Sequence, residues 1–220
     1  MTQSQTSSPP QLPQLRLDFY DTAVLLSRWQ ADGRVTTYPV SVQDVVTACT
    51  SIEMSSGLLP ANTLFWKQKA NQFMIGIYIP ARRWSVQTDE RDYHIPLPPL
   101  VFVGNGRSYQ VYAVKKRPAL SATQPHFANP IRLYHAPCPN VHHHGGICQG
   151  RTPFPICTPQ TIHQACHLFL EGSLFNADLS QGKSQSYSDD VRQLWADING
   201  RKRFPLSDLA PTSLRLENLF

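Results

Sequence analysis

Proline interrupts this chain so often that its regular elements have to be short. Nineteen prolines stand among 220 residues, and each fixes φ and removes a backbone donor. Several short strands and proline-punctuated loops fit that pattern better than long helices. Apolar residues make up 41% and charged residues 16%, so a proper core can form in one large domain or in one domain with an appended subdomain. The net charge of +5 is modest. No Lys/Arg run is long enough to act as a nucleic-acid arm, and Arg201-Lys202-Arg203 reads as a solvated loop or helix end. No stretch of about 18 apolar residues is present to span a membrane. The N-terminal MTQSQTSSPPQLPQ lacks the basic-then-apolar order of a signal peptide. The five cysteines are odd in number and lack a C-x-x-C pair. Both features argue against a disulfide framework and for a reducing cytoplasm.

Patterning along the chain predicts an α+β fold. Residues 1–13 read as a disordered leader. Alternation over Leu15–Tyr20, Thr22–Trp29 and Val35–Val40, with Asp32-Gly33 at a turn, predicts a small hairpin region. Ser41 can cap a helix from Val42 to Ile52, with Val45, Val46 and Cys49 on one face. Strand signals resume at Phe73–Ile79 and Arg83–Gln87. Leu100–Val103, Tyr109–Lys115 and Ile131–Tyr134 are expected to form an antiparallel meander, turned at Asn105-Gly106. A long loop from Pro137 to Thr158 follows. Thr158 can cap a helix from Pro159 to Glu171, and a further helix is expected over Ser188–Asn199, with Asp189 and Asp190 at its start.

Chemistry concentrates in the loop. Tyr134-His135-Ala136-Pro137-Cys138-Pro139-Asn140-Val141 runs into three histidines, Gly145-Gly146 and Ile147-Cys148. A thiolate is a good nucleophile and a tolerable leaving group, so a thioester on Cys148 can be both made and spent. The glycine pair lets a flexible peptide tail approach. Asn140 can donate to a developing oxyanion, a contact typically worth roughly 2.7–4 kcal/mol, or can hold the loop through backbone bonds. His142, His143 and His144 form an exposed polar loop, or one of them serves as a base near Cys148. Cys49 and Cys166 fall at helix-face positions and Cys157 has no motif, so all three read as structural.

The segment resembles the active site of ubiquitin-conjugating enzymes, in which a strand leads to Pro-Asn-aliphatic, a turn glycine and Ile-Cys. Pro139-Asn140-Val141, Gly145 and Ile147-Cys148 match it, with the cysteine eight positions after the asparagine. The wider context, from Leu100–Gly104 through Arg117-Pro118 to Phe169–Phe175, is similar to the prokaryotic ubiquitin-conjugating-like family D. That family includes protein B of the plasmid-associated PRTRC systems, and the chain also looks similar to the conjugating component of bacterial ubiquitin-like antiphage operons. The resemblance implies a ubiquitin-conjugating-like meander over residues 98–220 with a C-terminal helical tail. Residues 14–97 would then be a family-specific extension. It further implies catalytic Cys148 and Asn140, a ubiquitin-like modifier, an adenylating activating enzyme, a target protein and a JAB-type isopeptidase. No cofactor or metal is implied. Two departures stand out: Cys138 occupies the histidine position of His-Pro-Asn, and Gln149-Gly150-Arg151 replaces an acidic run.

Two other functions stay open on the residues alone. One is a catalytically inactive conjugating-like binding module. The other is a zinc-stabilised structural protein, because Cys138, His142, His143, His144, Cys148, Cys157, His163, Cys166 and His167 crowd together in sequence.

Overall fold

A computed structural model describes residues 14–30, 32–50, 57–69, 72–119 and 127–220. The expected leader, the Ser51–Ile52 end of the first helix and the side chain of Cys49 lie outside those residues. The chain divides into two compact units, residues 1–57 and 58–220. Between Leu58 and Leu97, the strands Thr63–Lys69 and Gln72–Ile79 join the six-stranded sheet, whereas Arg82–Thr88 and Asp92–Leu97 pair in a separate one.

The first unit holds strands β1 (Leu15–Phe19), β2 (Val24–Trp29) and β3 (Val35–Val40) in an antiparallel sheet, followed by helix α1 (Val42–Thr50). Gly33 takes φ +81° in the β2–β3 turn, a conformation open to glycine at little cost. Ser41 begins α1 as predicted. Its hydroxyl accepts the Asp44 N–H at 3.0 Å, and the Asp44 carboxylate accepts the Ser41 N–H at 3.3 Å. The two residues thus satisfy orphan groups of the first turn reciprocally.

The second unit carries the main core. It continues with β4 (Thr63–Lys69), β5 (Gln72–Ile79), β6 (Arg82–Thr88), β7 (Asp92–Leu97), β8 (Leu100–Asn105), β9 (Ser108–Ala113) and β10 (Arg132–His135). After these come α2 (Ile162–Glu171), β11 (Leu174–Phe175), α3 (Val191–Ile198) and β12 (Pro211–Arg215). One six-stranded sheet is ordered β12-β10-β9-β8-β5-β4, and a three-stranded sheet is ordered β11-β6-β7. The expected meander is the β8-β9-β10 centre of the larger sheet, antiparallel throughout. Asn105 pairs with Ser108, so Gly106, at φ +59°, and Arg107 form the turn itself. Prolines obey the edge rule. Pro39 lies in β3, Pro96 in β7 and Pro211 opens β12, and all three are edge strands where a missing donor costs no ladder bond.

Among the described residues the fold is therefore mixed α and β, with mostly antiparallel sheets and three α-helices. One face of β5, β8 and β9 packs with α2 and α3 around Trp84, Phe102, Tyr109, Phe169 and Trp195, all nearly fully buried. Burying such side chains stabilises by about 1.5–3 kcal/mol each relative to exposure. Helix α2 begins later than Pro159. Thr161 rather than Thr158 sits at its cap, and its hydroxyl accepts from the Thr158 N–H at 2.9 Å and donates to the Ile156 carbonyl at 2.6 Å. Helix α3 is capped by Asp190, whose carboxylate accepts the Arg192 N–H at 2.9 Å.

Candidate functional site

Strand β10 delivers the chain into a tight loop whose two arms pair with each other. Val141 bridges Ile147, and the Cys148 N–H donates to the Asn140 carbonyl at 2.8 Å. Asn140 and Cys148 are thereby neighbours across the loop despite their separation in sequence. The loop is also stitched to the sheet: Gln110 bridges Gly146, and the Ile147 N–H donates to the Tyr109 carbonyl at 2.9 Å. Beyond Cys148, the Gln149 amide donates to the Arg107 carbonyl at 2.7 Å.

Gly145 is required at the tip. Its φ of +83° disfavours any side chain, and a Cβ there would overlap the Tyr112 ring. The Tyr112 hydroxyl in turn donates to the His144 carbonyl. A buried strand residue thus holds the turn from below.

Asn140 sits at φ +58°, a conformation that asparagine tolerates better than most residues. A segment distant in sequence holds it. The Asn140 N–H donates to the Asp178 carbonyl at 2.8 Å, and its side-chain oxygen accepts the Asn176 N–H at 3.4 Å. Sequence reasoning missed this 176–183 loop. Its one visible signal is Asn176-Ala177-Asp178, a turn-forming pair whose side chains bond each other's segment, the Asp178 N–H donating to Asn176 Oδ1 at 3.0 Å. Leu179 completes the loop at φ +55°, a conformation costly for a side chain of that size.

The cysteines divide sharply. Cys148 is exposed, whereas Cys138, Cys157 and Cys166 are buried. Burial pushes the Cys138 and Cys166 thiols up to about 12 and the Cys157 thiol up to about 11. Those three are held as protonated, apolar-like groups. Cys138, at the position where the resemblance has histidine, is a core residue of the turn, and the Trp195 indole N–H anchors the preceding Pro137 carbonyl at 2.7 Å.

The three adjacent histidines point to different sides. The His142 and His144 rings stack at 5.2 Å, while His143 meets His135 at 5.4 Å. His163 approaches the Ala61 carbonyl at 3.2 Å, and His167 pairs with Glu171 at 2.9 Å. Among the described residues no group of three or more His, Cys, Asp or Glu side chains converges to hold a metal ion.

Two clefts flank the loop. One of about 450 Å³ is lined by Met74, Gln110, His142, His144, Gly146 and Ile147. The other, of about 320 Å³, is lined by Val141, His143, Asp178, Ser180 and Lys183. Lys183 is only 1% exposed, and among the described residues its Nζ has no hydrogen-bond partner. Burial lowers its pKa to about 8, with Cys138 opposing the shift. Burial, then Lys183 and His143, lower the pKa of His135 to about 4. A lysine is expected at the surface, so nothing in the sequence announced this buried cation.

No helix among the described residues is long and apolar enough to cross a membrane. Comparison with curated proteins gave no match, and neither did comparison with solved structures. A family model, the prokaryotic E2 family D, does match, over residues 40–212. That range covers most of the chain and contains the whole Asn140–Cys148 loop. The chain therefore belongs to the prokaryotic E2 family D.

Proposed function

We propose that the chain accepts a ubiquitin-like modifier from an adenylating activating enzyme as a thioester on Cys148, then passes it to an amine of a target protein. Family membership supports a conjugating-enzyme-like role in general. The finer reading rests on one observation: of the four cysteines with described side chains, Cys148 alone is exposed, at the end of a loop locked to the sheet.

The chemistry needs an accessible thiolate. The sulfur of Cys148 attacks the thioester carbonyl at the modifier's C-terminus. A new C–S bond forms as the bond to the activating enzyme's sulfur breaks, and that sulfur leaves as a thiolate. A target amine then attacks the same carbonyl, the C–N bond forms, Cys148 leaves as a thiolate and the amine's proton passes to solvent or to a base. The cleft beside Ile147, floored by Met74 and Gln110, offers a path for an extended tail. Asn140 acts first as the residue that shapes the loop, through Asp178 and Asn176. Its amide N–H groups are then the donors that can meet the oxyanion.

The test mixes the protein with ATP and with its cognate activating enzyme and modifier. A thiol-sensitive adduct is expected, and Cys148→Ala should abolish it. Asn140→Ala should slow discharge to amine by roughly a hundredfold or more, the cost of losing one such donor. A protein that binds the modifier but never charges would be a binding module instead. A defence or plasmid-associated role predicts a JAB-type isopeptidase gene in the same operon.

A further inference from the structure

A second cleft, built from parts that the proposed chemistry does not use, carries its own chemistry. It has a volume of about 370 Å³ and lies between the start of β6, the Pro96–Pro99 segment and the Lys202–Leu206 segment. Its floor is apolar: Leu97, Pro98, Pro99 and Phe204 are all buried. Its rim is basic, formed by Arg82, Lys202 and Arg203, all exposed.

Among the described residues none of those three cations has a carboxylate partner. Among the described residues, Arg192 is shared by Asp89, Glu90 and Asp190, and Arg201 pairs with Asp197 at 2.6 Å. No such ion pair involves Arg82, Lys202 or Arg203, and no Asp or Glu lines the cleft. Arg82 is nonetheless held in place, its guanidinium lying 3.5 Å from the Trp84 ring centroid. That stacking presents a planar donor fork suited to a carboxylate. The far wall is fixed as well. The His94 N–H donates to the Asn199 side chain at 2.9 Å, and the Gly200 N–H donates to the His94 carbonyl at 3.0 Å. These bonds tie the segment that leads to Lys202 onto β7.

We propose that this cleft docks an acidic peptide segment of a partner protein, with an apolar side chain seated on the proline floor and carboxylates meeting Arg82, Lys202 and Arg203. Charge complementarity selects the partner's sign, and the apolar floor selects a peptide. A nucleic-acid strand would want a basic track with free aromatic faces. Here the cations ring one small cleft, and the Trp84 face is taken by Arg82. The inference does not depend on what Cys148 does.

The experiment uses the full chain and a fluorescein-labelled ten-residue peptide of Asp and Glu around a central Leu, read by anisotropy. Binding is expected to exceed that of the Gln/Asn version by about tenfold or more, and to weaken as salt rises. The double variant Lys202→Glu/Arg203→Glu should lose about tenfold. Lys67→Glu, an exposed charge on β4 outside the cleft, should bind as the parent does. Replacing the central Leu by Ser should also weaken binding, which separates docking from simple charge attraction. Unchanged binding by the double variant, or tighter binding of a single-stranded oligonucleotide of equal charge that the same variant abolishes, would overturn the proposal. Circular dichroism melting of each variant confirms the fold.

Discussion

Cys138 and Cys148 lie ten positions apart on the two arms of one loop, yet they occupy opposite environments. Cys138 is fully buried, its thiol pushed up to about 12, with the unpartnered ammonium of Lys183 close enough to oppose that shift. Cys148 is exposed and follows the Val141–Ile147 bridge. The difference arises from what holds each arm. Trp195 and the core of α2 and α3 draw the Pro137–Cys138 arm inward. In the other arm Ile147 is buried and only Cys148 reaches solvent, with the turn tied by Tyr109, Gln110 and Tyr112. Residue type alone does not make a nucleophile; access and support do.

The contrast is broken or sharpened most directly by thiol reactivity. In a Cys49→Ser background, which removes the cysteine outside the described side chains, iodoacetamide should label Cys148 at least about a thousandfold faster than Cys138, Cys157 or Cys166. The latter need local opening, at a cost on the order of 5 kcal/mol. Peptide mass spectrometry reads each site. Comparable rates at Cys138 and Cys148 would erase the distinction between the two arms.

Gly145→Ala comes next. A left-handed alanine costs about 1–2 kcal/mol, and displacing the Tyr112 ring with its bond to the His144 carbonyl should bring the loss to roughly 3 kcal/mol by urea unfolding. The same variant should charge poorly even where it is folded, since the turn that holds Cys148 would shift.

The buried arm gives a smaller effect of opposite sign. Lys183→Met should stabilise by about 1–2 kcal/mol at pH 7, because it removes an unpaired buried charge. In the parent protein, the folded state binds fewer protons at Lys183 than the unfolded state between about 8 and 10.5. Stability contributed by this residue therefore rises with pH across that window. The advantage of the variant should shrink as the pH passes above 8, and a constant advantage from pH 7 to 10 would show that the charge is not the cause.

His135 supplies the smallest effect. Its pKa is lowered to about 4 from an ordinary 6.5. The folded state binds fewer protons between those values, so acidification from 6.5 towards 4 destabilises it. His135 is partly exposed, which limits the loss to about 1 kcal/mol. His135→Gln should flatten the acid limb of a melting-temperature profile by that amount, and Lys183→Met should flatten it in part.

What was legible in the sequence was local. The Asn105-Gly106 turn, the alternation of Tyr109–Ala113 and the apolar run of β5 each carry their own signal, and they gave the centre of the large sheet. The neighbourhood of Asn140 and Cys148 followed from a motif whose spacing is local too. The support was not legible. β12 is short, opens with Pro211 and pairs with β10 across a long stretch of chain. The parallel β11–β6 pairing involves only Leu174 and Phe175 on one side. The grip of Asp178 and Asn176 on Asn140, and the burial of Lys183 beside Cys138, depend on tertiary placement that no residue pattern encodes.

The most direct test of the central claim is to locate the acyl group. The protein is charged in a single turnover with ATP, the activating enzyme and the modifier, quenched in acid, digested and read by mass spectrometry. The modifier's C-terminal remnant is expected on Cys148 and on no other cysteine. In Cys148→Ser any adduct at that position should resist thiol reductant and yield to hydroxide. A thioester found on Cys138, Cys157 or Cys166, or normal charging by Cys148→Ala, would contradict the assignment.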